Sequence, residues 1–299
     1  MNPELFAELS GLWCVADDLV DLRRFVDWAA KARAAEPEQA KPRAAARTAG
    51  PTGRAIAEVP IRGMMLKSTN WYGASTQQVK RDVRAAAAEP EVGGILLSID
   101  SPGGIVAGTD DLAAEIRAAN KKKPVWTFAE DLMASAAYWA GSQAERVVAN
   151  SASALVGSIG TYQVIYDVSA ALEQMGVKAH VFKTGPLKAI GVEGAPVTED
   201  QVQHLQSIID GLQQIFEGSV AKARGLSAKA MSQVNHGGTF LATEALQKGL
   251  IDAIDSKERT LAEFARALGS PSNGRRPAKS ESRALLPRAQ RRLPTVTTL

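Results

Sequence analysis

Hydrophobic and polar positions follow two different patterns along the middle of the chain. Short apolar runs, "AEVPIRGMM", "GGILLSID" and "PVWTFAE", are typical of buried strands. Between them, residues 75–88 and 109–120 carry apolar side chains at helical spacing. Strands that alternate with helices predict an α/β fold with a largely parallel sheet covered by helices.

A second helical region follows the sheet. Thr198 and Gln201 form a capping-box pattern, and a long apolar stripe then runs from Val202 to Val220. Shorter helices are predicted at about 227–233, 242–249 and 259–267, around a small strand in "GLIDAI". A strand is also predicted in "AHVFK", residues 179–183.

The two ends of the chain differ from this central part in composition. Residues 1–34 predict an amphipathic helix, which could pair with a partner or lie on its own domain. Residues 35–56 contain three prolines and no periodicity and predict a linker to a domain at 57–267. The segment 268–299 predicts a disordered basic tail, with seven Arg or Lys against one Glu. This tail could contact nucleic acid or an acidic protein, or remain solvated without a specific partner.

Composition excludes several classes of protein. The single cysteine, Cys14, rules out an internal disulfide and a thiolate metal site. The first residues are acidic where a secretory signal would be basic, and no apolar run is long enough to span a bilayer. With 45% hydrophobic residues in 299, we expect a globular cytoplasmic protein without a membrane anchor.

Two segments could carry acyl-transfer chemistry. In "SIDSPGG", residues 98–104, a buried strand ends in two glycines whose N–H groups could form an oxyanion hole, although Pro-Gly-Gly is also ordinary turn chemistry. Ser135, in "MASAAYWAGS", lies at a predicted helix start and could be a nucleophile or simply a helix cap.

A serine nucleophile needs a base, and the three histidines are poor candidates. His204 and His236 read as surface residues, and His180 reads as a sheet residue, so a Ser-His-Asp triad has little support. The segment "VFKTGPLKAIGVEGAP" offers Lys183 and Lys188 instead. Apolar neighbours of Lys188 would favour its neutral form, while the alternative is a surface lysine whose stem packs on the domain.

Four motifs in order, "DSPGG", "ASAAYW", "GSIG" and "KTGPLK", resemble those of the signal peptide peptidase A-like Ser-Lys peptidases, over about residues 57–267. The resemblance implies a Clp protease/crotonase-like fold. Its implied site is a nucleophile Ser135, a general base Lys188 placed 53 residues later, an orienting hydroxyl Ser158, and an oxyanion hole lined by Gly103 or Gly104 with Ala136. The sequence departs from the family pattern at two places. Alanines stand where glycines often follow the nucleophile, and "LKAIGVEG" has no acidic residue directly after the base. Neither departure removes a catalytic group.

Within this family, the motifs "VPIRGMM", "WYG" and "SPGGIVAGTDDLAAEI" are most similar to the head-maturation proteases of tailed bacteriophages, which digest scaffold protein inside the immature capsid. The resemblance implies a homo-oligomeric ring, scaffold and capsid proteins as substrates, no metal or cofactor, and a location in the bacterial host cytoplasm or the prohead. The alternatives are a cytoplasmic peptidase of the same family that degrades peptides or signal-peptide remnants, a crotonase-like acyl-thioester enzyme, and a non-catalytic capsid scaffold or assembly protein.

Overall fold

The computed structural model describes residues 54–68 and 73–269, together with the backbone of two short strands, Trp13–Val15 and Ala46–Ala49. Most of the predicted N-terminal helix and linker, and the predicted basic tail from residue 270 onward, lie outside the described residues. The regular structure that follows the second of these strands runs from Ala55 to Gly269.

Twelve strands and eight helices are described in the parts of the chain that the structure covers. The strands are β1 Trp13–Val15, β2 Ala46–Ala49, β3 Ala55–Arg62, β4 Met64–Leu66, β5 Gly73–Ser75, β6 Val92–Ser101, β7 Gly103–Ile105, β8 Val125–Ala134, β9 Arg146–Ala149, β10 Leu155–Gly157, β11 Thr239–Leu241 and β12 Ala253–Ile254. The helices are α1 Thr76–Ala88, α2 Thr109–Asn120, α3 Ala136–Gly141, α4 Ser169–Gln174, α5 Glu199–Arg224, α6 Ala228–Met231, α7 Ala242–Gln247 and α8 Lys257–Gly269.

The main sheet is built around three parallel strands, β3, β6 and β8. Beyond β8 the sheet divides, because the first half of β8 pairs in parallel with β9 and its last three residues pair in parallel with β10. Antiparallel strands, β2 and β11, lie at the two ends of the path. The predicted α/β architecture with a largely parallel sheet is therefore confirmed.

The sheet is covered on both faces because its central strands are apolar on both sides. Ile95, Leu97 and Ile99 of β6 face a large core that includes residues of α1, α2, α3 and α5. The intervening Leu96 faces the other side, where Phe264 of α8 stacks on Trp126 with ring centroids 4.6 Å apart. This two-sided burial explains why "GGILLSID" reads as a continuous apolar run.

A second, smaller sheet has the strand order β1, β7, β4, β5. Its strand β7 is the Gly-Gly-Ile stretch that follows Ser101 and Pro102, and β1 pairs with it in antiparallel register, Cys14 opposite Gly104. Trp13–Val15 thus form a strand where the sequence predicted helix, since a Trp-Cys-Val stretch suits the pleated edge that β7 offers. Likewise, Ala46–Ala49 pair with β3 although they fall within the predicted linker.

The chain between β10 and α5 is mostly irregular and exposed. The strand predicted in "AHVFK" is wrong, because residues 177–183 form no regular structure and Phe182 is 97% exposed. Extended chain needs a neighbouring strand for its backbone groups, and none of the described residues provides one here. Helix α5 follows at Glu199, as the capping pattern predicts.

None of the helices in the described part of the chain combines the length and the apolar character needed to cross a membrane.

Candidate active site

Ser135 occupies a strained corner between β8 and α3. Its backbone has φ 56° and ψ −120°, a region that residues with a side chain rarely adopt. The residue is fully buried, and its carbonyl accepts the first hydrogen bond of α3, from the N–H of Trp139 at 2.8 Å. A sharp strand-to-helix turn of this kind directs a side chain away from both elements, and such strain is concentrated at functional sites.

Ser158 directly follows the strand that neighbours β8 and lies beside Ser135. Ala134 and Gly157 are paired in the parallel register of β8 and β10, so the two serines are the next residues along both strands. The N–H of Ser135 donates to the carbonyl of Gly157 at 2.7 Å. Ser158 is also buried and also has a positive φ, 52°. The structure therefore brings these two predicted site residues together.

Helix α3 is anchored by two large aromatic side chains just after Ser135. The Tyr138 hydroxyl donates to the carbonyl of Leu250 at 2.8 Å, and burial raises the pKa of this phenol well above its usual value. The indole of Trp139 stacks on Phe216 of α5 with ring centroids 4.5 Å apart. These contacts explain why two aromatic residues follow a run of small ones: the small residues surround Ser135, and the aromatic residues fix its helix.

An ion pair between a buried arginine and an exposed aspartate supports the same anchor. Arg224, at the end of α5, donates to both carboxylate oxygens of Asp252 at 2.9 and 2.7 Å. Burial lowers the pKa of Arg224, but its hydrogen bond to Asp252 and the charges of Tyr138 and Asp252 together leave the pKa raised. Asp252 in turn accepts the N–H of Val147, so the end of α5 is tied to β9.

The predicted oxyanion glycines lie on β7, against which α3 packs. Gly103 has φ 101°, and its N–H donates to Ser101 Oγ at 3.2 Å. A Cβ on Gly104 would lie 1.8 Å from the carbonyl oxygen of Met65, so close strand packing alone requires glycine there. Ala136, the third predicted member, is buried at the first position of α3.

Acidic side chains lie near the carboxyl end of β6 and in the middle of β8. Burial raises the pKa of Asp100, and the neighbouring charges of Glu130 and Asp131 raise it further. Burial also acts to raise the pKa of Glu130, but hydrogen bonds from Arg62 and Ser98 lower it below its usual value. Among the described residues, no group of three or more histidine, cysteine and acidic side chains is arranged to hold a metal ion.

Lys188 is not brought into the buried part of this site within one chain. It lies in a turn, where its N–H donates to the carbonyl of Gly185 at 3.1 Å, and its side chain is exposed. Lys183 is exposed as well, and its Nζ donates to the carbonyl of Pro186 at 3.1 Å. The predicted desolvation of Lys188 by its apolar neighbours is therefore absent from the structure of one chain.

Helix α5 supplies contacts to this region that the sequence did not reveal. The side-chain amide of Gln213 donates to the carbonyls of Ile159, next to Ser158, and of Asn235, both at 3.3 Å. Gln213 sits within the predicted apolar stripe as one of its polar interruptions, and only the fold shows that it faces the segment after Ser158.

Residues 117–269 match the model of Peptidase family S49. The chain belongs to Peptidase family S49. It is a serine-type peptidase, and the predicted resemblance to the signal peptide peptidase A-like peptidases is confirmed. The matched residues include α3 and all that follows it in the described domain, so the family assignment covers Ser135, Ser158 and Lys188.

Two curated relatives illustrate the breadth of this S49 family. Capsid assembly protease C of Escherichia phage lambda is 32% identical over 204 residues, which cover 67% of this chain and 46% of that protein. Protease 4 of Salmonella typhi is 30% identical over 221 residues, which cover 73% of this chain and 35% of that protein. The S49 chain thus spans less than half the length of each of these relatives.

Solved structures give weaker similarity. A ClpP1 variant from Listeria monocytogenes is 15% identical and has a TM-score of 0.41, over 68% of this chain and 94% of that chain. A variant of the 1510-N membrane-bound stomatin-specific protease is also 15% identical, with a TM-score of 0.42 over 69% of this chain and 82% of that chain.

Proposed function

We propose that this S49 peptidase is an endopeptidase with a Ser-Lys dyad that acts in the maturation of a bacteriophage or prophage capsid. The observation that carries the catalytic part is the buried, strained position of Ser135 beside Ser158. In this proposal Ser135 is the nucleophile, Lys188 is the general base, and Ser158 orients the lysine amine. Backbone N–H groups of Gly103 or Gly104 and of Ala136 form the oxyanion hole.

The reaction would proceed by acyl transfer to serine. As Ser135 Oγ attacks the carbonyl carbon of the scissile bond, the neutral amine of Lys188 accepts the hydroxyl proton. The oxyanion hole stabilises the negative carbonyl oxygen, and Lys188 then donates the proton to the leaving amine as the C–N bond breaks. Water attacks the acyl-enzyme with Lys188 again as base, which releases the carboxylic acid and restores the serine.

The exposure of Lys188 sets a condition on this mechanism. General-base catalysis needs a neutral amine, and burial favours the neutral form, so a base at this position must be covered before it can act. Large apolar side chains are exposed in the same irregular segment, including Tyr166, Met175 and Phe182. An exposed apolar surface of this kind supports the proposed homo-oligomeric ring, in which neighbouring copies would cover it.

The biological role is supported by the similarity to capsid assembly protease C of phage lambda. In this role the substrates would be scaffold and capsid proteins, and the enzyme would work in the bacterial host cytoplasm or inside the prohead. The segments 1–34 and 268–299 would dock the enzyme in the capsid or be removed by self-cleavage, and the basic tail would be free to contact nucleic acid.

The similarity to Protease 4 of Salmonella typhi favours a second role for the same dyad. In that case the enzyme would degrade peptides or signal-peptide remnants rather than a scaffold protein. The two roles differ in substrate, since a maturation protease digests its cognate scaffold protein, whereas a degradative peptidase digests unrelated unfolded proteins.

Intact-mass spectrometry over time tests the proposal. Wild type, Ser135→Ala, Lys188→Ala and Lys183→Ala, which removes the other candidate base, are each incubated alone, with an unfolded protein and with a capsid scaffold protein. We expect cleavage by wild type and Lys183→Ala and none by the other two variants. If Lys183→Ala lost cleavage while Lys188→Ala stayed active, the general base would be Lys183 instead of Lys188. Equal cleavage by all four would contradict the dyad. Cleavage of the unfolded protein but not of the scaffold would favour the degradative role, and inactivity of all four on both substrates would favour a non-catalytic assembly role.

A further inference from the structure

Gln201 is a buried polar side chain, 2% exposed, at the start of α5. Its Oε1 accepts the N–H of Thr198 at 3.2 Å, which is the helix-capping contact that the sequence pattern predicts. Its Nε2 makes a different contact, because it donates to the carbonyl of Pro186 at 2.9 Å. One amide group therefore joins the beginning of α5 to a residue fifteen positions earlier.

Pro186 belongs to the turn that carries Lys188. The N–H of Lys188 donates to the carbonyl of Gly185, which closes the turn around Pro186. Residues 184–190 form bends and turns only, and Ala189, directly after the lysine, has φ 63°. A short irregular segment with exposed side chains has little packing of its own, so the bond from Gln201 is its buried attachment to a long helix.

The same helix holds the serine side of the site. Phe216 of α5 stacks on Trp139, whose N–H donates to the carbonyl of Ser135. Helix α5 has 26 residues, so Gln201 and Phe216 are fixed on one rigid element about 22 Å apart along its axis. Movement of the lysine turn on this helix would change the position of Lys188 relative to the framework that holds Ser135.

We propose that Gln201 is a positioning residue for the general base, because its bond to the Pro186 carbonyl fixes the turn that carries Lys188. This inference rests on the proposed function, in which Lys188 is the base. It assigns to Gln201 a role separate from helix capping, since its two bonds use two different atoms of the amide.

Gln201→Glu separates the two roles. The carboxylate keeps an oxygen that accepts the N–H of Thr198, and a negative charge is favourable at a helix N-terminus. It has no N–H to donate to Pro186, and its oxygen would instead face that carbonyl oxygen. Gln203→Glu is the matched control, because Gln203 is exposed in the same helical turn and the charge change is identical.

Steady-state kinetics on a cleaved peptide and hydrogen exchange of residues 183–190 give the two measurements. For Gln201→Glu we expect kcat to fall about 10- to 100-fold with KM nearly unchanged, because a small displacement of a catalytic group costs this much. We also expect faster exchange of the Lys188 amide, while the thermal midpoint stays close to that of wild type. Gln203→Glu should match wild type in all three.

Unchanged exchange at Lys188 together with a kcat within twofold of wild type would overturn the inference. A purely structural role would instead lower the thermal midpoint without lowering kcat. If Gln201→Glu does not fold, Gln201→Met, which removes both bonds but keeps the shape, is measured by the same criteria. A different result would separate the two proposals: Gln201→Glu could show faster exchange at Lys188 with unchanged kcat, while Lys188→Ala is also active. That result would refute Lys188 as the base but would leave the attachment of the turn by Gln201 in place.

Discussion

Ser135 and Ser158 hold equivalent positions on adjacent parallel strands: each follows one member of the Ala134–Gly157 pair, and each has a positive φ. The N–H of Ser135 binds the Gly157 carbonyl, and the N–H of Ser158 binds the Gly238 carbonyl, both within 2.8 Å. The two serines thus leave the sheet at the same level. Both serines with unusual backbone angles therefore donate their N–H groups to carbonyls at the ends of neighbouring segments.

The strain at Ser135 predicts that relieving it raises the stability of the fold, although the hydroxyl needed for activity is lost. Replacement by glycine, which adopts positive φ without steric cost, relieves the strain, whereas alanine keeps it. We expect Ser135→Gly to exceed Ser135→Ala in free energy of unfolding by about 1 kcal/mol in urea denaturation. Both variants should lose peptidase activity, because both lack the hydroxyl.

The two variants are matched because each removes the same oxygen. If Ser135→Ala were as stable as Ser135→Gly, the backbone at this corner would not be strained, and the structural support for a nucleophile here would be lost. Circular dichroism of the folded variants serves as a check that both retain the secondary structure of wild type.

The stack between Trp139 and Phe216 predicts a remote effect on catalysis. Phe216→Ala leaves a cavity beneath the helix that begins after Ser135 and should cost about 3–5 kcal/mol of stability. At a temperature where the variant is still folded, kcat should also fall, because α3 loses its anchor. Ile215→Ala, which truncates the half-exposed preceding residue, is the control and should alter neither quantity by much. Full activity of folded Phe216→Ala would show that α3 does not need this anchor.

The sequence predicted the central sheet and its helices because their signals are local. The continuous apolar run of β6 and the helical spacing of α1 and α2 depend only on which face of each element is buried. Residues 109–120 were predicted as a helix, and α2 has these bounds. The capping pattern at Thr198 and Gln201 marked the start of α5 for the same reason.

The rest depends on contacts between distant residues. The strand β1 exists because β7 offers an edge, and the pairing of residues 13–15 with 103–105 has no local signature. The alternation in "AHVFK" predicted a strand, but no neighbouring strand within the described residues pairs with it. Local sequence and motif resemblance together proposed Ser135 and Ser158. Neither their positive φ nor the exposure of Lys188 could be deduced from residue types.

The ion pair between Glu130, in the middle of β8, and Arg62 predicts a pH-dependent stability difference. The pKa of Glu130 is lowered in the folded protein, so its ionised form stabilises the fold above the unfolded carboxyl pKa. This stabilisation is lost as pH falls through the folded pKa. We therefore expect Glu130→Gln to lower the free energy of unfolding by about 1 kcal/mol at pH 7, a modest value because Arg62 is half-exposed.

Denaturation of both proteins between pH 7 and pH 3 tests this sign. The difference should shrink towards zero in the acidic range, where the wild-type carboxyl is protonated as well. Glu145→Gln, at an exposed position, should follow wild type throughout. A difference that stayed constant with pH would mean that Glu130 stabilises the fold through packing rather than through its charge.

Two glycine substitutions are predicted to have opposite effects. In Gly104→Ala the new Cβ would lie 1.8 Å from the carbonyl oxygen of Met65, so β4 and β7 must separate. We expect the free energy of unfolding to fall by about 3 kcal/mol or more.

In Gly218→Ala the new Cβ meets nothing within 4 Å inside α5, so the higher helix propensity of alanine should raise the free energy of unfolding by about 0.5–1 kcal/mol. Thermal unfolding measures both, and peptidase activity should fall only in Gly104→Ala, because the movement of β7 displaces the proposed oxyanion donors. If Gly104→Ala were as stable and active as wild type, the two strands would not pack as closely as the structure shows, and the glycine would have no packing role.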